Sequence, residues 1–193
     1  VRAIPSGARV RVEISAEAAP EPNAATAREW AVRTARNPKL FDGRILAVVS
    51  MDESVPGELT IVARHDRYQR LAVQPAVENG VNLLAIRGVV TAHDRLGTEH
   101  VFLGKRDART HEYGGMWELG PSGGVQPPGP GVRELGPEEL IALYGLELGE
   151  EAGMDVGRAR CAAVAMCVDH AARGSDLVLS VAMTDALETV AGS

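Results

Sequence analysis

Residues 9–14 alternate strictly, with Val10, Val12 and Ile14 on one side and Arg9, Arg11 and Glu13 on the other, which predicts a half-buried strand. A link rich in Pro and Ala (16–22) follows. Asn23 can then cap a helix over 24–36, which Asn37-Pro38 ends because the residue before proline is pushed out of the helical region. Apolar runs at 44–51 and 58–65, separated by the turn residues 52–57, read as a hairpin or meander. Residues 66–80 carry mixed signals, with a short helix through 66–74. Segments 82–94 and 99–107, joined near Gly97, form the clearest strand pair. A Gly-rich loop (109–136) then leads into a helix over 137–153, and two further strands (159–170 and 176–185) surround a turn at 172–175.

Strands, a well-placed helix and strands again predict an α+β class, with a mixed β-sheet packed between helices. Two units are expected, an N-terminal α/β extension over 1–80 and a main domain over 81–193.

Composition narrows the function. The chain has 193 residues, 45% of them apolar, enough for a real core. Its formal net charge is -6 and its 20 basic residues are scattered, so a polynucleotide partner is not expected. No apolar h-region follows a basic start, and the longest apolar run (161–168) is too short to span a bilayer, so a cytoplasmic location and no membrane partner are expected. Cys161 and Cys167, six apart in a predicted strand, are expected on one face at opposite ends, as inert thiols rather than a zinc site or a disulfide.

The helix over 137–153 carries the chemistry. Pro137 suits its first position, and Glu138 and Glu139 lie where the macrodipole favours acids. On a wheel of roughly 100° per residue, Ile141, Leu148 and Ala152 face a core, while Glu147, Glu150 and Glu151 share a different arc. Those three sit at the negative pole, which disfavours each by roughly 0.3–1 kcal/mol. Surface acids ordinarily form a solvated face. A divalent cation would remove the penalty, and magnesium takes just such oxygen ligands. Gly145 and Gly149, each costing about 1 kcal/mol inside a helix, suggest close packing against a neighbouring backbone.

Residues 138–154 resemble the second half of the Nudix box: Glu138, Glu147, Leu148, Glu150, Glu151, Gly153 and Met154 fall at its spacing. The segment 117–125 (Trp-Glu-Leu-Gly-Pro-Ser-Gly-Gly-Val) is similar to the approach to that box, with Gly123-Gly124 as the glycine pair. Two departures stand out. The run from Gly124 to Glu138 is longer by about eight residues, tolerable in a surface loop, and Leu146 replaces the box arginine, so Arg133 or Arg87 would have to reach in or the site is weakened. Asn37, Pro38, Leu40, Phe41, Asp42 and Gly43 resemble the amino-terminal region of the UDP-sugar pyrophosphatase type of Nudix hydrolase. Locally they read as a helix stop and turn with Leu40 and Phe41 as buried anchors.

The resemblance implies an α/β/α sandwich and a hydrolase that cleaves the diphosphate of a nucleoside diphosphate sugar with magnesium, or manganese in its place. It implies Glu147, Glu150 and Glu151 as catalytic and metal-binding residues, with the Gly123 carbonyl as a further ligand and Glu147 as a candidate base. Glu138 would support the loop or the outer coordination shell. Arg87, Lys105, Arg106 and Tyr113 are candidate substrate contacts, each with the plainer role of a solvent-facing side chain beside it, and Trp117 is a stacking candidate or a loop anchor. Asp169, His170 and Asp176 near the last turn could bring an additional acid. The alternatives are a non-catalytic Nudix domain binding a nucleotide or protein partner, and a hydrolase of ADP-ribose or nucleoside triphosphates. Family members continue past the box with further strands and a closing helix, so either a tail lies beyond 154–193 or a partner subunit in a homodimer completes the sheet.

Overall fold

The structure, a computed structural model, describes residues 1–108, 113–185 and 187. Its short first strand β1 (Arg2–Ala3) is followed by β2 (Arg9–Ile14), in which Val10, Val12 and Ile14 are buried while the charged positions between them keep access to water. Helix α1 (Ala24–Arg36) starts where the Asn23 side chain accepts from the Thr26 N–H at 2.8 Å, and it stops at Asn37, whose backbone is extended ahead of Pro38. Strands β3 (Arg44–Asp52) and β4 (Glu58–Arg67) pair antiparallel around the predicted turn. The expected short helix is α2 (Tyr68–Ala72), fixed to β4 by the fully buried Asp66 carboxylate, which accepts from Arg70 at 2.8 Å and from Arg64 at 3.1 Å. Helices α1 and α2 pack on each other through an edge-on Trp30–Tyr68 contact and a bond from Arg33 to the Ala72 carbonyl.

The long strand β5 (Leu83–His93) comes next, then β6 (Glu99–Val101), β7 (Leu103–Lys105), β8 (Trp117–Leu119), β9 (Ser122–Gly124) and β10 (Glu134–Leu135). Helix α3 (Pro137–Ala152) follows, and after a 3-10 turn at Val156–Arg158 the chain ends its described strands with β11 (Ala159–Asp169) and β12 (Gly174–Met183). One sheet runs in the order β1-β11-β12-β5-β3-β4-β2-β10, with β6 and β9 also paired to β5. It is mixed: β2 runs parallel to β4 and β12 parallel to β5, and the other neighbours are antiparallel. Strands from both sides of residue 80 therefore belong to one sheet. The class is α+β, a large mixed sheet with three helices among the described residues. No helix among the described residues is long and apolar enough to cross a membrane.

Helix α3 lies on the sheet face formed by Val12, Ile61, Leu84, Ile86, Val90, Leu177 and Leu179, where the main core sits. Its buried stripe is Leu140, Tyr144 and Leu148, one i, i+4, i+8 row, and not Ile141, Leu148 and Ala152. Ile141 and Ala152 pack only at the flanks. Tyr144 reaches the sheet because β5 has Gly88 beneath it: a Cβ there would stand 2.0 Å from the tyrosine oxygen.

Four further expectations are corrected by long-range pairing. The predicted strand over 99–107 breaks at Phe102, whose N–H donates to Val90 at 2.9 Å, so β6 stays on β5 while β7 leaves to form a separate two-stranded ribbon with β8. The Gly-rich segment 109–136 holds β8, β9 and β10 rather than loop alone; its residues 109–112 lie outside the described part, as do 186 and 188–193 near the end. A register shift between Ala163 and Ala165 reverses the alternation of β11, so Cys161 pairs with Val181 on the core side and Cys167 with Asp176 on the other face. Both thiols are free. Phe41 is no anchor, being 78% exposed; Asp42 is, accepting from Arg67, from the Gln69 N–H at 2.9 Å and from the Gln69 side chain at 2.7 Å.

Candidate functional site

Gly153 takes the left-handed conformation (φ 67°) that ends α3, with its N–H on the Gly149 carbonyl and the Met154 N–H on that of Leu148. Gly145 is needed for a close approach: a Cβ would lie 2.5 Å from the Val156 side chain. The neighbour is thus a side chain and not backbone, and Gly149 has no close neighbour at all, its Cβ coming only within ordinary contact of Met154. Because the Tyr144 and Leu148 rows hold one face of the helix down, Glu147, at a neighbouring angle, is carried toward β9.

There Gly123 pairs with Ile86 of β5, and its missing side chain makes room for a carboxylate. A Cβ on Gly123 would fall 2.4 Å from Glu147 Cδ and 2.6 Å from both its oxygens. Gly123 and the Glu147 carboxylate thus meet face to face. Burial, and then the charge of Glu150, raise the pKa of Glu147 above its ordinary value. Glu151 is raised as well, first by burial, then by Glu147 and by Glu118, against the lowering effect of the Ser122 N–H and of Arg106. Glu150 is exposed beside them. At the negative end of the helix Glu150 thus makes ionisation of Glu147 harder, and Glu147 that of Glu151. Among the described residues no group of three His, Cys, Asp or Glu side chains is already gathered into an ion cage, so the glutamates would have to turn inward to share a cation.

Beside Glu151 opens a cleft of about 690 Å³, bordered by Phe102, Lys105, Arg106, Glu118 and Ser122. Two of the predicted substrate contacts meet at its wall. Arg87 donates through Nη1 to Glu118 Oε2 at 3.3 Å and through Nε to Asp176 at 3.1 Å, and Arg106 donates to the same Glu118 oxygen at 2.8 Å. Lys105 borders the same cleft, but its ammonium lies over the Trp117 ring, 5.8 Å from the centroid, on the exposed face of the ribbon. Tyr113 is elsewhere: its hydroxyl donates to Asp169 at 2.7 Å and helps hold that carboxylate below its ordinary pKa.

The remaining candidates find structural employment. Asp169 also accepts from the Ala171 and Ala172 N–H groups of the last turn, Asp176 pairs with Arg87, and His170 is exposed. Glu138 is exposed near the start of α3, nine residues from Glu147 and so about 13 Å up the axis. Its neighbour Glu139 accepts from the Gly136 N–H at 2.9 Å. Neither proposed substitute for the box arginine reaches the glutamates, since Arg87 is engaged as above and Arg133 donates to the Ser15 carbonyl. Leu146 is 53% exposed. Glu118 was not foreseen as a site residue; its place in the Trp-Glu-Leu run before the glycine pair was the available signal.

The chain matches no protein-family model and no curated protein.

Proposed function

We propose that the chain is a Nudix-type, magnesium-dependent hydrolase that cleaves the diphosphate of a nucleoside diphosphate sugar to a nucleoside monophosphate and a sugar 1-phosphate, with 81–193 as the hydrolase domain and 1–80 as its extension. The observation that carries this reading is the Glu147 carboxylate laid on Gly123, with Glu150 and Glu151 beside it. Hard oxygen donors at a helix C-terminus, with raised proton affinity at Glu147 and Glu151, fit a small divalent cation. Glu147, Glu150, Glu151 and the Gly123 carbonyl would hold magnesium or manganese. Such an ion, when bound, neutralises a diphosphate and makes water a better nucleophile.

The chain's own groups supply the rest. Arg106 and Lys105 bring positive charge to the cleft and Arg87 stands behind Glu118 at its wall, and guanidinium forks match phosphoryl oxygens. Glu147, its pKa raised by burial and by Glu150, accepts a proton from the water that attacks phosphorus, while the other phosphate departs with its sugar. Release of nucleotide from UDP-glucose, UDP-galactose or ADP-ribose with magnesium is the expected result, and none from any of them would reject the activity. Glu151→Gln should lower turnover at least a hundredfold with an unchanged melting temperature; a variant at full rate would remove Glu151 from the site.

A second reading, a Nudix domain that binds without hydrolysing, is favoured by the exposed Leu146 and by the lack of an ion pair to Glu147, Glu150 or Glu151 among the described residues. Leu146→Arg separates the two: a large gain in rate over an inactive parent marks an eroded enzyme.

A further inference from the structure

Glu118 is held from three elements at once. Arg87 approaches from β5, Arg106 from the end of β7 and the Ser122 hydroxyl from β9, and all three donate to the single oxygen Oε2, at 3.3, 2.8 and 3.3 Å. Its side chain is only 17% exposed, so water screens these pairs less than it would on an open surface. A carboxylate clasped by two guanidiniums and a hydroxyl has the surroundings that suit a phosphoryl group, because a guanidinium fork can donate to two oxygens of either anion, the trigonal carboxylate or the tetrahedral phosphate. Arg106, Glu118 and Ser122 all border the cleft, so the clasp stands where a ligand would enter.

We propose that Glu118 is a built-in stand-in for phosphate: it fills an anion seat made by Arg87, Arg106 and Ser122, and must vacate it before one phosphate of a diphosphate can settle there. The identity of that diphosphate rests on the hydrolase reading above; the seat does not. Being tethered, Glu118 competes at a high effective concentration, so a free monoanionic carboxylate, no better matched than Glu118 itself, is turned away. A phosphoryl group, with more charge and more oxygens, displaces it.

Titration calorimetry with inorganic pyrophosphate in the presence of a chelator isolates the seat from metal and from turnover. Glu118→Gln keeps the side-chain shape while removing its charge, and should bind pyrophosphate at least tenfold more tightly than the unmodified chain, with Glu118→Ala ranking the same way. Adding Arg106→Ala to Glu118→Gln should abolish the gain. Equal or weaker pyrophosphate binding by both Glu118 variants, at unchanged melting temperature, would overturn the proposal, as would a gain that survives loss of Arg106. Tighter pyrophosphate binding by Glu118→Gln in a chain that hydrolyses no nucleotide sugar would uphold the seat while rejecting the hydrolase reading.

Discussion

Glu147 and Glu151 hold their protons more firmly in the folded chain than a free glutamate does, from an ordinary value of 4.5. The sign for stability follows: between the ordinary and the raised pKa the folded state binds more protons than the unfolded one, so stability without cation falls as pH rises through that window. Cation binding needs the ionised forms and has the opposite slope. The rise in melting temperature produced by magnesium should be small near pH 4.5 and grow as pH passes the raised values of the two glutamates. Thermal melts at matched ionic strength, with and without magnesium, check this, and an increment that is flat across the range would separate these residues from the cation. Of the residues in this candidate site, the acidic arc of Glu147, Glu150 and Glu151 was legible from spacing along one helix, and Gly123 only through the resemblance that its glycine pair carries. Glu118 was not, because its worth comes from arginines 31 and 12 positions away, brought together only by the fold.

At the scale of elements, α3 shows where a pattern in sequence stops being sufficient. A helical wheel finds the acidic arc, since that depends on spacing alone, but it misplaces the buried stripe, which depends on what the opposing strand leaves open. Gly88 admits Tyr144, and this non-local vacancy turns the helix so that Leu140 and Leu148 lie with the tyrosine. The fit has a cost: the Tyr144 hydroxyl is fully buried without a hydrogen-bond partner among the described residues, and burial raises its pKa. Tyr144→Phe should therefore stabilise the protein by about 1 kcal/mol, read as a denaturation midpoint shifted upward at unchanged slope. Loss of stability would mean that the hydroxyl has a partner after all. Strand alternation in β2 and the capped ends of α1 were readable for the opposite reason, each being set by residues close in sequence. The break at Phe102 and the shift in β11 depend on the register of partner strands and leave no local mark.

The whole molecule sets a firm half of the cleft against a lighter one. Glu147, Glu151 and Gly123 ride on α3 and on a strand paired to the central β5, whereas Lys105, Trp117 and Glu118 ride on the β7–β8 ribbon, whose short strands pair only with each other. Bonds from Phe102 to Val90 and from the Gly88 N–H to Pro121 fasten its two ends to β5. Amide exchange should be faster across 103–105 and 117–119 than in β5 and β12, and pyrophosphate should slow it in the Glu118→Gln variant. Ribbon amides protected as fully as those of β5 would show instead that the cleft is a single stiff body.

The neighbour of β5 on its far side is β12, inserted between it and β11, so that Asn82 bonds to Ser175 across 93 positions of sequence. During synthesis on the ribosome β5 must therefore wait, one flank bare, until residues 174–183 have emerged. A nascent chain stalled before that point would offer an apolar, unpaired edge to chaperones or to its own copies, and could not yet assemble a working cleft.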